Sequence, residues 1–217
     1  MVFHALNRAN ARADLFYKPE DYAAFESVLA EARERTGKRV LSYCLMPNHW
    51  HLVLWPKQDG DMSRFMGWLT LTHTQRWHAH YQSAGTGHLY QGRRKSFPIQ
   101  ADDHLLTVCR YVERNALCGN LCELAAEWPW SSLYHRLRQD DFAKQVLSEW
   151  PVARPRQWLS NLQQPQSEAE LAALRRSVAR GSPFGNSDWT ERIAKQLDLE
   201  ITLRPRGRPR KPENNGS

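Results

Sequence analysis

The segment RVLSYCLMPNHWHLVLW at residues 39–55 constrains the fold most strongly, because it holds two apolar runs that are interrupted at Pro47. Short apolar runs that are bounded by a turn residue are typical of buried strands. Proline cannot donate a hydrogen bond to a strand ladder, so Pro47 belongs outside the strands. The segment therefore predicts two strands, at 39–46 and 50–55, that are broken near Pro47.

Helical patterns flank this pair of strands. Residues 18–35 carry apolar side chains at helical spacing and acidic residues in the first turn, where the helix dipole favours them. The order that results, β-α-β-β-α-β-α, indicates an α+β fold in which helices cover a small antiparallel sheet. The other predicted elements are an edge strand at 2–6, helices at 61–81 and 102–117, and a strand at 93–99.

The last third of the chain differs in composition from the rest. Residues 152–217 hold 12 Lys and Arg against 7 Asp and Glu. We interpret 1–150 as one domain, 151–203 as a proline-marked linker with a small helical extension that is a candidate for DNA binding, and 204–217 as a basic tail. Helices are predicted in the extension at 168–180 and 187–197.

Charge and composition narrow the class of protein. A formal net charge of +7 and a pI of about 9.4 favour polyanionic partners such as nucleic acid or an acidic membrane surface. No stretch approaches the roughly 20 apolar residues of a spanning helix, so we expect a cytoplasmic protein. The four cysteines form no CxxC pair and are predicted to be reduced thiols.

Two histidines at the start of the strand that follows Pro47 are candidate metal ligands. Strand side chains alternate between faces, so His49 and His51 point the same way, about 7 Å apart. His78 and His80 have the same spacing, but they lie in a helical pattern that splays residues two apart. The alternative for His49 and His51 is a polar face on a half-buried strand.

The helix at 102–117 offers two more candidate residues. Tyr111 and Asn115 stand at i and i+4 on one face. The asparagine oxygen suits a hard divalent ion, and the tyrosine offers a hydroxyl nucleophile, so together with His49 and His51 they form a coherent phosphoryl-transfer site. Alternatively, Tyr111 is a helix tyrosine that packs on the sheet.

YCLMPNHWHLVLWP, followed by GHLYQGRRKSF and RYVERNALCGNL, resembles the single-tyrosine HUH transposases, and most closely the REP-associated tyrosine transposases. The resemblance covers roughly residues 1–138. It implies a ferredoxin-like fold, Mg²⁺ or Mn²⁺ held by His49, His51 and Asn115, and Tyr111 as the residue that cleaves single-stranded DNA.

The resemblance also implies a function and partners. We expect a metal-dependent, site-specific single-stranded DNA endonuclease and strand transferase that acts on palindromic hairpin repeats through a 5′-phosphotyrosine link. The alternative is a protein that binds such repeats without cutting them. We expect the protein to be a monomer or a homodimer and to be associated with the nucleoid. The cations that we predict to face DNA are Arg93, Arg94, Lys95, Arg110 and Arg114, for which a solvated basic face is the alternative.

The tail contains RPRGRPRK at 204–211, which resembles an AT-hook. Arg206 and Arg208 would lie along the narrow minor groove of A·T-rich duplex DNA, and Gly207 would allow close approach of the backbone. The alternative is a basic tail that binds DNA without sequence preference.

Overall fold

A computed structural model describes residues 1–58 and 60–204. The strands are β1 Val2–Arg8, β2 Arg39–Met46, β3 His49–Trp55 and β4 Lys95–Ile99. The helices are α1 Pro19–Thr36, α2 Asp61–His80, α3 Asp103–Glu113, α4 Asn115–Cys118, α5 Ser132–Arg138, α6 Asp141–Val146, α7 Trp158–Gln163, α8 Glu168–Arg180 and α9 Ser187–Gln196. Short 3-10 turns occupy Asn10–Arg12, Ala125–Glu127 and Glu200–Thr202.

The four strands form one antiparallel sheet in the order β2-β3-β1-β4. This order, with α1 between β1 and β2 and α2 between β3 and β4, is the ferredoxin-like α+β arrangement, and it confirms the predicted fold class. The prediction of an edge strand at 2–6 was wrong, because β1 lies between β3 and β4. Apolar and polar residues alternate only weakly along β1 because both faces of the sheet are covered. Ala5 packs in one core and Val2 in the other.

Each face of the sheet has its own core. Trp50 and Leu52 of β3 pack with residues of α1 and α2, whereas Val53 packs with residues of α3 on the other face. Alternation along β3 therefore places His49 and His51 on the face that α3 covers.

The strand pair follows the prediction closely. Pro47 and Asn48 form a two-residue turn, and β3 begins at His49, one residue before the predicted start. The predicted helix at 102–117 is interrupted instead. Arg114 has φ −88° and ψ −7°, which ends α3 and separates it from α4.

The C-terminal region packs on the domain that precedes it. Phe184 N–H donates to the carbonyl of Pro98 in β4, and Gln100 N–H donates back to the carbonyl of Phe184. Trp158 and Leu174 belong to the core on the α3 face. Helices α8 and α9 lie where they were predicted, whereas α5 and α6 were not predicted and α7 lies in the predicted linker. The division of domains at residue 150 stays a prediction.

Two expectations from composition can be compared with the described residues. All four cysteines are free thiols, as predicted, with Cys44 and Cys109 buried. In the part of the chain that the structure describes, no helix combines the length and the apolar character needed to cross a membrane.

Candidate active site

His49 and His51 lie side by side on the α3 face of β3, and their ring centroids are 5.1 Å apart. His51 pairs with Leu6 of β1 across the sheet, and His49 pairs with Arg8. The alternation of β1 therefore brings His4, Leu6 and Arg8 to the same face as the two histidines. The prediction that His49 and His51 share one face of their strand is thus confirmed, and β1 is the neighbouring strand that faces them.

Helix α3 carries Tyr111 to this face. The helix begins after Asp102, whose carboxylate accepts a hydrogen bond from His104 N–H. The Tyr111 ring centroid is 5.6 Å from that of His51. The structure therefore brings together a helix tyrosine and a strand histidine that are 60 residues apart in the chain.

Glu113 fixes α3 against the sheet. Its side chain is buried, and its carboxylate accepts hydrogen bonds from Ser42 Oγ, Ser132 Oγ and the Trp158 indole N–H. Because these donors come from β2, α5 and α7, the orientation of α3, and with it the position of Tyr111, is held from three sides.

The ring nitrogen Nδ1 of each predicted histidine ligand has a partner. His49 Nδ1 lies 2.7 Å from Asn48 Oδ1, and His51 Nδ1 lies 2.8 Å from His4 Nε2. If Nδ1 carries the proton in both rings, each Nε2 is free to bind a cation.

Asn115 is oriented in a comparable way. Its Nδ2 donates to the carbonyl oxygen of Tyr111 at 2.9 Å, so Oδ1 is the atom left to bind a cation. Two imidazole nitrogens and one amide oxygen fit a Mg²⁺ or Mn²⁺ ion that keeps other positions for water or substrate. Among residues 1–58 and 60–204, no three His, Cys, Asp or Glu side chains converge as a metal site, and the predicted third ligand here is the Asn115 oxygen.

Burial sets the charge of the two imidazoles. Desolvation lowers the pKa of His49 to about 4, with a further contribution from the charge of Arg8. Desolvation also lowers the pKa of His51 well below its usual value. Both rings are therefore neutral at pH 7, which is the form that binds metal ions.

Burial acts in the opposite sense on the tyrosine. It raises the pKa of Tyr111, although the charges of Arg175 and Arg8 oppose the rise. The hydroxyl is therefore protonated at neutral pH, and it must lose its proton when it acts as a nucleophile.

The candidate residues open into one cleft of about 430 Å³. Helix α8 contributes Val178 to its wall, which brings the C-terminal extension to the site. Among the described residues, the lining of the cleft includes three cationic side chains and no Asp or Glu. This charge makes the cleft suitable for an anion. The polar lining residues are Asn7, Arg8, His49, His51, Gln91, Arg93, Lys95, Tyr111, Asn115 and Cys118.

The predicted DNA-facing cations separate into three groups. Arg93 and Lys95 line the cleft, whereas the Arg94 guanidinium lies 3.3 Å from Ser63 Oγ. Arg110 donates to the carbonyls of Asn161, Gln164 and Pro165, and the buried Arg114 donates to that of Leu162. Both guanidinium groups thus bind carbonyls in and just after α7, and the contact of Arg110 and Arg114 with DNA stays a prediction. Arg206 and Arg208 lie outside the described residues.

The second histidine pair lies away from the cleft. His78 and His80 are in α2, which covers the opposite face of the sheet. His78 Nδ1 lies 2.8 Å from Ser83 Oγ, and His80 is exposed. Of the two His-x-His pairs, the strand pair that the backbone geometry favours is the one that lines the cleft with Tyr111.

The sequence interpretation missed His4 and Arg8 of β1. His4 is fully buried, and desolvation lowers its pKa to about 3. The spacing of four residues places both side chains on one face of a strand, and this pattern could have indicated them if β1 had been recognised as a central strand.

Comparison with known proteins places these features in a family. The family model described as "Transposase IS200 like" matches residues 1–115. No curated protein matches the chain. Because the family model covers more than half of the chain, up to and including Asn115, its match takes in the two histidines, the tyrosine and the asparagine of the cleft.

Two solved structures are similar to this chain, and the first of them shares its fold. The structure of a REP-associated tyrosine transposase bound to a REP hairpin is 16% identical, with a TM-score of 0.51, over 64% of this chain and 79% of that one. A candidate transposase from Deinococcus radiodurans is 15% identical, with a TM-score of 0.41, over 52% of this chain and 88% of that one. The sequence match and the shared fold agree, and the protein belongs to the family of IS200-like transposases.

Proposed function

We propose that this transposase is a metal-dependent, site-specific single-stranded DNA endonuclease and strand transferase that acts on hairpin repeats. The observation that carries the proposal is the position of the Tyr111 ring, 5.6 Å from the His51 ring in a cleft that has cationic side chains and no carboxylate in its lining. A hydroxyl nucleophile beside neutral metal ligands and cations is an arrangement suited to a phosphodiester substrate.

His49 Nε2, His51 Nε2 and Asn115 Oδ1 would hold Mg²⁺ or Mn²⁺. When bound, such an ion polarises a phosphate oxygen and so makes the phosphorus more reactive towards a nucleophile. The partners of these ligands, Asn48, His4 and the Tyr111 carbonyl, fix the ligand atoms before the ion arrives.

Tyr111 supplies the nucleophile. Its Oη attacks the phosphorus of one phosphodiester, the Oη–P bond forms, and the bond from phosphorus to the 3′ oxygen breaks. The phenol proton is lost to water, and the departing 3′ oxygen takes up a proton to leave a 3′-hydroxyl. The 5′ phosphate stays on Tyr111, and attack by a 3′-hydroxyl on this link reverses the reaction or joins a new strand.

The proposed substrate is a DNA hairpin with a single-stranded flank. The support is the fold shared with a REP-associated tyrosine transposase that was solved with a REP hairpin. Arg93 and Lys95 would bind the backbone of the flank where it enters the cleft.

Incubation with a labelled hairpin that carries single-stranded flanks, in the presence of Mn²⁺, tests this proposal. We expect a covalent protein–DNA band that survives denaturation and disappears with chelator. Retained hairpin binding without any covalent band would support the alternative function, a repeat-binding protein that does not cut.

A further inference from the structure

Arg8 is the one cation of the cleft that comes from β1. It is the last residue of that strand, it pairs with His49 across the sheet, and it lines the cleft that contains Tyr111. The Arg8 side chain therefore lies on the same face of the sheet as His49 and His51 and faces the cleft.

The side chain of the half-buried Arg8 has no partner among the described residues. None of the ion pairs includes it, and its Nε is shielded from solvent and has no hydrogen-bond partner. The Nε atoms of Arg33, Arg39 and Arg136 share this property, but of the four arginines Arg8 is the one that lines the cleft. A shielded N–H without a partner is costly, and a ligand in the cleft would satisfy it.

The main chain of Arg8 accounts for its structural role. Its carbonyl accepts a hydrogen bond from Gln91 N–H, and its N–H donates to Asn7 Oδ1. The side chain takes no part in these bonds, so the strand and the loop after α2 do not depend on the guanidinium.

Arg8 shares one cleft with the metal-ligand candidates and the nucleophile. It pairs with His49 across the sheet, and it lines the cleft together with His51, Tyr111 and Asn115. A phosphate placed against Tyr111 in this cleft is therefore close to the Arg8 side chain.

We propose that Arg8 is a further catalytic residue, whose guanidinium donates hydrogen bonds to the non-bridging oxygens of the phosphate that Tyr111 attacks. Arginine suits this role because its planar fork matches two phosphate oxygens and its charge is permanent. As Oη bonds to phosphorus, negative charge grows on those oxygens, and a fixed donor stabilises it. This assignment rests on the proposed nuclease function.

Arg8→Gln and Arg8→Lys test the assignment, with Arg35→Gln as the control. Arg35 is an exposed arginine of α1 on the opposite face of the sheet, with its guanidinium 5.1 Å from the Trp68 ring. The first measurement is the affinity for a hairpin with a single-stranded flank, in a Tyr111→Phe background with Mn²⁺, over a range of salt concentrations. Arg8→Gln should reduce the slope of log affinity against log salt by about 0.7, the value for one single-strand phosphate. Arg8→Lys and Arg35→Gln should leave it unchanged.

The second measurement is the single-turnover rate of covalent adduct formation at saturating DNA, with Tyr111 intact. Arg8→Gln should slow this step by roughly 100-fold or more, Arg8→Lys by less, and Arg35→Gln not at all. Thermal melting followed by circular dichroism establishes that each variant is folded. If Arg8→Gln does not fold, Arg8→Met, which keeps an unbranched side chain and loses the charge, replaces it in both measurements with the same expected results.

The outcomes separate the two proposals. An unchanged slope and rate in Arg8→Gln would overturn the assignment, and so would a slower rate without a change of slope, since Arg8 would then position other residues. If wild-type protein forms no adduct at all, the nuclease proposal and the catalytic role of Arg8 both fail. The slope would still establish whether Arg8 contacts the DNA backbone.

Discussion

His4 Nε2 lies 2.8 Å from His51 Nδ1 in the buried centre of the sheet, where β1 and β3 are neighbours. For His51 Nε2 to bind a metal ion, Nδ1 must carry the proton and donate a hydrogen bond to His4 Nε2. His4 can accept this bond because burial lowers its pKa to about 3 and keeps the ring neutral. We therefore expect His4 to favour the tautomer of His51 whose Nε2 can bind a metal ion.

Replacing His4 should weaken metal binding. His4→Phe removes the acceptor but keeps an aromatic ring beside Phe97, and we expect a loss of Mn²⁺ affinity of roughly 10- to 100-fold. His4→Gln retains an acceptor and should lose less. Isothermal titration calorimetry with Mn²⁺ in the absence of DNA measures both, and equal affinities in wild type and His4→Phe would contradict this role.

Local spacing predicted the geometry of the candidate site well. His49 and His51 share a strand face, and Tyr111 and Asn115 share a helix face, because these relations depend only on the period of the backbone. The hydrogen bond from Asn115 to the Tyr111 carbonyl keeps the second pair together even though the helix is interrupted at Arg114.

Long-range pairing was outside the reach of the sequence. His4 and Arg8 matter because β1 lies between β3 and β4, and a weakly alternating segment gives no indication of which strands it will join. The carbonyl partners of Arg110 and Arg114, about 50 residues further along the chain, could not be predicted either. The charge of a guanidinium gives no indication of which distant carbonyls it will bind.

Tyr111→Phe should abolish the covalent DNA adduct, because it removes only the hydroxyl and leaves the ring to pack beside His51. Hairpin affinity should stay within about twofold, since the lost group contributes to bond formation rather than to binding. Denaturing gels measure the adduct and fluorescence anisotropy measures the affinity. A persistent adduct would require another nucleophile, and Tyr134, which is half-buried on α5, would then be the first to replace.

The two histidine pairs should behave differently. His49→Ala and His51→Ala each delete one of three proposed protein ligands, and Mn²⁺-dependent cleavage should fall by more than about 100-fold. His78→Ala and His80→Ala alter α2 on the opposite face of the sheet and should leave cleavage near the wild-type rate. Cleavage assays over a range of Mn²⁺ concentrations compare the four variants, and a similar loss in all of them would refute the assignment of the site.

His135 should make folding stability depend on pH. Burial alone would lower its pKa, but bonds to Glu26 and Asp140, at 3.1 Å and 2.6 Å, outweigh this effect and raise it. A histidine with a raised pKa in the folded state stabilises the protein fully below its unfolded pKa of about 6.5, and this contribution is lost as pH rises through the folded value.

Urea unfolding of wild type and His135→Gln at pH 5.5 and pH 8.5 measures this contribution. The wild type should exceed the variant in free energy of unfolding by more at pH 5.5 than at pH 8.5. His80→Gln, which alters an exposed histidine of α2, is the matched control and should show no such difference. If the difference in free energy of unfolding between wild type and His135→Gln is larger at pH 8.5, the neutral ring is the form that stabilises the fold.

Removal of the tail should separate DNA targeting from chemistry. Residues 204–211 hold five cations and no acid or hydroxyl side chain, so they can add affinity for phosphates but no hydroxyl nucleophile. Truncation after Leu203 should weaken binding to A·T-rich duplex DNA and lower its salt dependence by up to about five phosphate contacts. Cleavage of a short single-stranded hairpin at saturating enzyme should persist, because the cleft is lined by residues between Leu6 and Val178. If the truncated protein keeps its circular dichroism spectrum but no longer cleaves that hairpin under saturation, the tail belongs to the active site, and the assignment of chemistry to the cleft alone is wrong.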